Sequence, residues 1–185
     1  MDKPTRILNA ALNVIIEEGL ERTPISKIAD KAEVGIGAIY KYFKNKEDII
    51  NGIYVKIKEE EAEMIFVNNG HNPSVKETFY DYYGRMIDYF LQHPMKFNFI
   101  SQYAFSPIVN SDTQKKAMSR FHYFDALYEK GHTEGLFKEI EASHLTYFVF
   151  TSIAYWLKAA KEMKIIIDDE YKNVLLQMAW DSIKK

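Results

Sequence analysis

The chain has no cysteine, almost no net charge and no long apolar run. Without cysteine there is no disulfide, no thiolate metal site and no cysteine nucleophile anywhere in its 185 residues. Such usage suits a reducing compartment. The most apolar stretch, residues 145–157, is broken by Thr146, Thr151 and Ser152 and falls short of the roughly 20 residues a membrane span requires. The opening residues, MDKPTRILNA, lack the apolar core of a signal peptide. A soluble, cytoplasmic protein with no membrane partner is therefore expected. There is no Ser/His/Asp arrangement, no glycine-rich phosphate loop, no internal repeat and no low-complexity tract, so nothing points to an enzyme or to a cofactor.

What is present is a core and a pattern. Hydrophobic residues make up 47% of the chain and aromatics 15%, ample for packing and too apolar for disorder. Every long segment has helical rather than alternating periodicity. A first helix is expected over residues 4–18, with Ile7, Ala11, Val14 and Ile15 inward and Gly19 just past its end. Thr23 is expected to cap a second helix, and Gly35 and Gly37 bracket the turn into a third that ends near Asn45. A fourth runs from about Lys46 past Met64, with the charged run at residues 58–63 read as solvated. A break follows at residues 68–73, then helices over residues 74–92, 94–105, 111–130, 142–163 and 168–183. The expected architecture is all-α, nine helices and no sheet.

Function concentrates in residues 23–49, TPISKIADKAEVGIGAIYKYFKNKEDI. Two short helical patterns joined by a tight turn place Ile39 and Phe43 inward, which leaves Ala38, Lys41 and Tyr42 outward. The net charge of −2 does not by itself suggest nucleic acid, and residues 1–50 hold eight basic and eight acidic side chains. Placement matters more: residues 34–46 hold Lys41, Lys44 and Lys46 and no acid. That is how a helix-turn-helix offers its second helix to the major groove with phosphate-seeking groups at the borders. The candidate DNA contacts are Thr23, Ser26, Lys27, Gly35, Ile36, Gly37, Ala38, Tyr40, Lys41, Tyr42 and Lys46. Ala38 is small enough to approach base edges and a thymine methyl, Lys41 suits guanine or phosphate, and the tyrosines and Thr23 suit phosphate.

These residues resemble the TetR family of one-component transcriptional repressors, which implies a ligand-released repressor that binds a palindromic operator as a dimer. The match lies in Thr23, Ile28-Ala29, Ala32, Val34, Gly37-Ala38-Ile39-Tyr40, Phe43, Lys46 and Glu47, about a quarter of the chain. The resemblance implies a homodimer with a small DNA-binding domain, residues 1–46, and a larger helical ligand-binding and dimerisation domain, residues 47–185. It implies phosphate contacts at Thr23, Gly37, Tyr40, Tyr42 and Lys46, and base contacts at Ala38 and Lys41. Three positions depart from the family pattern. Glu33 stands where glycine is usual, Gly35 replaces the usual Ser or Thr cap, and Ile36 stands where a basic or polar residue is common. Losing one phosphate partner lowers the salt dependence of DNA binding by about one unit of slope.

The remainder is read for regulation. The aromatic crowding from Phe79 to Tyr128 suits a ligand cavity, with Phe79, Tyr82, Tyr83, Met86, Phe99, Tyr103, Phe121, Phe124 and Tyr147 as lining and Gln102 as a polar member. No acid stands out among them, so a small hydrophobic or aromatic effector is expected. Leu145, Phe148, Val149, Ser152, Ile153 and Trp156 form one apolar stripe, and Val174, Leu175 and Met178 another; both are candidate dimer surfaces. Glu129-x-x-His132 and Glu141-x-x-His144 have the spacing of a di-iron bundle. Their context at a helix end and in a first turn argues against it, so no metal site is expected. The alternative to a DNA-binding regulator is a helical ligand-binding or protein-interaction module without specific DNA binding.

Overall fold

A computed structural model of the protein describes residues 2–67 and 73–185. The helices are α1 Lys3–Glu18, α2 Ile25–Ala32, α3 Ile36–Tyr42, α4 Lys46–Ile65, α5 Val75–Gln92, α6 Pro94–Tyr103, α7 Ser111–Met118, α8 His122–Thr133, α9 Ala142–Glu162 and α10 Asp169–Ile183. No strand occurs among the described residues beyond one isolated bridge between Phe137 and Lys184. The span expected as a single helix over residues 111–130 is two helices, α7 and α8, joined by a 3-10 turn at Ser119–Phe121. The break at residues 68–72 lies outside the described residues.

The chain divides into two compact units. One comprises Met1–Glu60 with Gln92–Ser119, the other Glu61–Leu91 with Arg120–Lys185. In the first, α1 is capped by Asp2, whose carboxylate accepts the Thr5 N–H at 2.9 Å. It ends at Gly19 with φ 89°, a left-handed exit that glycine adopts without steric cost. Ile7, Ala11, Val14 and Ile15 are buried as the periodicity predicts, and Ile28, Ala29 and Ile39 complete the small core. Thr23 does not cap α2. Pro24 holds the cap position in extended conformation, and the Thr23 hydroxyl donates back to the Gly19 carbonyl at 2.8 Å. Proline's fixed φ sets the entry angle, and the threonine side chain is left to close the preceding turn.

The charged run at residues 58–63 is not a solvated face. Lys58 and Glu61 are buried. Glu60 takes Lys56 from the preceding turn and Lys96 of α6 at 2.6 Å. Burial raises the Glu60 pKa, but the hydrogen bonds from Lys56 and Lys96 outweigh that and hold it below the usual value. These groups border a polar cleft of about 450 Å³ lined by Asn9, Asn13 and His93 among others. Asn51 is also buried; its amide donates to the Glu47 and Ile108 carbonyls at 2.8 and 2.9 Å and accepts the Asn110 N–H at 3.1 Å. One side chain thereby fastens the α6–α7 connection to α4.

The second unit is held by aromatics. Phe79, Tyr83, Tyr128, Phe137 and Trp180 are buried, with the Phe79–Trp180 and Phe137–Trp180 rings edge-to-face at 5.3 Å. The Tyr83 and Tyr128 hydroxyls pair at 2.8 Å. Burial, then the neighbouring tyrosine, pushes the Tyr83 pKa well above its ordinary value. Burial does the same to Tyr128, against the lowering effect of the hydrogen bond. Gly131, just past the helix expected over residues 111–130, lies within α8, and a Cβ there would stand 2.1 Å from the Phe137 ring.

Candidate nucleic-acid interface and effector site

The turn into α3 is built by Glu33 and Arg6. Glu33 ends α2 with φ 53° and ψ 48°, left-handed, and its N–H reaches back to the Asp30 carbonyl while Val34 N–H reaches Ala29. The Arg6 guanidinium donates to the Ala32 carbonyl at 2.7 Å and to the Glu33 carbonyl at 3.4 Å, with the Glu33 carboxylate 3.7 Å away. A cation at the carbonyl end of α2 compensates its free acceptors and dipole. The loop therefore turns without the family's usual glycine. Gly35 then stands as the cap of α3 in extended conformation with no side-chain bond, and the Ala38 N–H closes the first turn on the Gly35 carbonyl at 2.9 Å.

With Ile39 buried and Phe43 half-buried, the outer surface of α3 presents Ile36, Gly37, Tyr40, Lys41 and Tyr42, all exposed, and Ala38, half-buried. Among described residues up to Glu60, the large apolar side chains that are exposed are Ile36, Tyr40 and Tyr42. All three are on this helix. The start of α4 is capped by Asn45, which accepts the Asp48 N–H at 2.8 Å, while Asp48 accepts the Lys44 N–H at 3.0 Å. Of the other nominated residues, Thr23, Lys27 and Lys46 are engaged within the protein. Thr23 is buried. Lys46 donates to the Leu20 and Thr23 carbonyls at 2.8 and 3.0 Å, tying α4 to the α1–α2 turn. Ser26 and Lys27 are exposed on α2, with Lys27 paired to Glu18.

The nominated effector residues divide between the units. In the second, Phe79, Tyr83, Met86, Phe121 and Phe124 are buried. Ring centroids lie at 4.6 Å for Phe79–Tyr83, 4.8 Å for Tyr83–Phe124 and 5.7 Å for Tyr82–Phe124. Phe66, which sequence reasoning missed, joins them: its ring meets Tyr82, Phe121, Tyr123 and Phe124 at 5.0, 5.7, 4.9 and 5.4 Å. It lies just beyond the end of α4, where helical periodicity has stopped and no face can be read. Tyr147 is exposed. Phe99 and Tyr103 belong to the first unit, their rings tilted against each other at 4.9 Å; Gln102 beside them is exposed.

The stripe on α9 has two faces. Leu145, Val149 and Ile153 turn inward with Leu175, whereas Phe148, Trp156, Val174 and Met178 are exposed. Phe148, Ser152, Ile153, Trp156, Leu175 and Met178 line an apolar trough of about 220 Å³ between α9 and α10. Among the described residues no three His, Cys, Asp or Glu side chains gather to hold a metal, and no helix is long and apolar enough to cross a membrane. The His132 ring instead meets the Lys138 carbonyl at 3.0 Å.

An all-α chain with a helix-turn-helix near its start and an aromatic helical unit after it is the architecture of a one-component DNA-binding regulator. Residues 7–53 match the family described as bacterial regulatory proteins, tetR family, and residues 54–185 match the tetracyclin repressor-like C-terminal domain. The chain belongs to the TetR family and is a DNA-binding transcription regulator, not an enzyme. It is 44% identical over 63 residues to a fatty acid metabolism regulator protein of Bacillus subtilis, an alignment covering 34% of this chain and 31% of that one. A TetR-family regulator from Marinobacter aquaeolei superposes with a TM-score of 0.88 at 19% identity, covering 99% and 96% of the two chains. The transcriptional regulator FadR from Bacillus subtilis, solved in complex with stearoyl-CoA, superposes with a TM-score of 0.79 at 20% identity, covering 95% and 96%.

Proposed function

We infer that the protein is a repressor that binds a palindromic operator as a homodimer and leaves it when a hydrophobic effector binds. The observation that supports this most is α3 itself, with its exposed Tyr40, Lys41 and Tyr42 and no acid from residue 34 to residue 46. One such helix binds weakly, and two presented a DNA turn apart gain specificity on a palindrome. Phe148, Trp156, Val174 and Met178, exposed beside an apolar trough, are the surface on which a second copy is expected to pack. The effector site is placed at the aromatic assembly around Phe66, Tyr82, Phe121 and Phe124, which has large rings and no charged member. Helix α4 contributes residues to both units, so a ligand that prefers one setting of α4 would bias the spacing of the two α3 helices through its differential affinity.

The test is fluorescence anisotropy of the full chain against duplex DNA flanking its own gene, with random DNA as control and a salt series. Tight, sequence-dependent binding that weakens with salt is expected, followed by release on adding a long-chain acyl-CoA, the ligand class in the B. subtilis structure. Lys41→Ala is expected to weaken operator binding and flatten the salt slope by about 0.9 per half-site if the lysine meets phosphate. Equal, weak binding to both DNAs would instead favour a ligand-binding module in which the helix-turn-helix no longer reads sequence.

A further inference from the structure

The isoleucine at the head of α3 is left nearly half uncovered by its own unit. Ile36 is 46% exposed, although covering an isoleucine is favourable wherever a fold can do it. On either side stand Gly35 and Gly37, and a Cβ built at either would meet nothing within 4 Å. The flanking backbone is therefore open, and Ile36 keeps nearly half of its surface uncovered. Tyr40, four residues on and on the same flank of the helix, is exposed as well. Scattered exposed apolar residues are ordinary on a protein surface. These are grouped: among the described residues of this unit, Ile36, Tyr40 and Tyr42 on α3 are exposed, and Phe105 is the exposed large apolar side chain elsewhere.

In a helix-turn-helix the first residues of the second helix are those that meet base edges. Isoleucine has no donor or acceptor, so it gains nothing at a phosphate or at a base amide. The apolar group that the major groove displays is the thymine 5-methyl. We propose that Ile36 reads a thymine methyl in each operator half-site. The assignment rests on α3 being the DNA-reading helix. Gly35 and Gly37 serve it by removing the side chains that would hold the base pair away. A methyl contact releases no counterion, so this part of the specificity is independent of salt, unlike the lysine contacts.

The probe is the strongest duplex that the full-length protein selects from a randomised 30-base-pair pool. Each thymidine in it is then replaced in turn by deoxyuridine, which removes the methyl and leaves pairing intact. One position per half-site is expected to lose about fourfold in affinity, and about fifteenfold when both are replaced, the loss for one apolar carbon per site leaving contact. Ile36→Ala should bind the thymidine duplex as weakly as wild type binds the deoxyuridine duplex, and should be indifferent to the replacement. Ile36→Lys should also lose methyl sensitivity while steepening the salt slope by about 0.9 per half-site. Because Ile36 is exposed, unchanged thermal melting of both variants is expected and separates contact from folding. If no deoxyuridine replacement matters while Lys41→Ala still weakens binding, the methyl assignment is wrong and α3 remains the reading helix. If Ile36 and Lys41 variants both select the same duplex with the same affinity as wild type, the placement of α3 on DNA fails, and this assignment with it.

Discussion

Two places carry local penalties that the rest of the structure offsets. Glu33 holds φ 53°, a conformation costing a residue with a Cβ roughly 1–2 kcal/mol. Its carboxylate is 87% exposed and 3.7 Å from Arg6, and an ion pair in that setting contributes little. Relief of backbone strain should win over loss of the pair, so Glu33→Gly is expected to raise stability by about 1 kcal/mol in urea denaturation. Unchanged or lower stability would mean that Arg6 gains more from the carboxylate than from the carbonyls. The second case is the Tyr83–Tyr128 pair. Tyr83→Phe strands a buried hydroxyl on Tyr128 and should cost about 1–3 kcal/mol, while adding Tyr128→Phe should recover much of it. Both hydroxyls have pKa values raised above the ordinary 10.0. Their contribution is thus fully present below pH 10 and lost as pH rises beyond it, since the unfolded chain ionises first. Thermal melting from pH 8 to pH 11 should show a decline that is shallower in the double variant, where Tyr80, Tyr82 and Tyr103 keep their raised pKa values.

At the scale of elements, close approach decides where helices run. Alanine is a better helix former than glycine by about 1 kcal/mol, and on propensity alone Gly131→Ala would strengthen α8. The Phe137 ring forbids it. With the ideal Cβ 2.1 Å from that ring, and the ring itself held by Tyr128 and Trp180 at 5.3 Å, something must shift. A net loss of about 1–3 kcal/mol is expected, the usual cost of overpacking a core. Denaturant unfolding checks the sign, and a stabilised variant would mean that Phe137 is free to move. Gly52 on α4 is the milder case, since its Cβ would meet the end of the flexible Leu8 side chain at 2.9 Å and the Phe43 ring at 3.3 Å. On α9, spacing of four separates two roles. Leu145, Val149 and Ile153 are spent on the unit's own core, leaving Phe148 and Trp156 exposed.

For the whole molecule the decisive quantity is the oligomeric state proposed from that outer face. Met178 is 54% exposed and lines the trough with Phe148 and Trp156. Met178→Glu would bury an unpaired carboxylate if a second copy packs there, at a cost of about 3–5 kcal/mol, which weakens dimerisation at least about a hundredfold. Sedimentation velocity should show dimer becoming monomer, and operator affinity should fall with it. A variant that stays dimeric would place the interface elsewhere.

Residue pattern alone determined that the chain is all helical and where most helices lie, because a period of 3.6 is written locally by residues such as Ile7, Ala11 and Val14. The helix-turn-helix was legible for the same reason: turn, inward residues and lysines all fall within one short window. Tertiary structure decided what depends on distant neighbours. It buried Lys58 and Glu61 in a run that reads as solvent-facing, since charge pattern does not say which helices will cover it. It turned Lys46 and Thr23 onto carbonyls of the α1–α2 turn, brought Phe66 into the aromatic assembly, and set Gly131 against Phe137. Each is a contact between residues far apart in the chain, or past the end of a periodic segment, where local propensity carries no information.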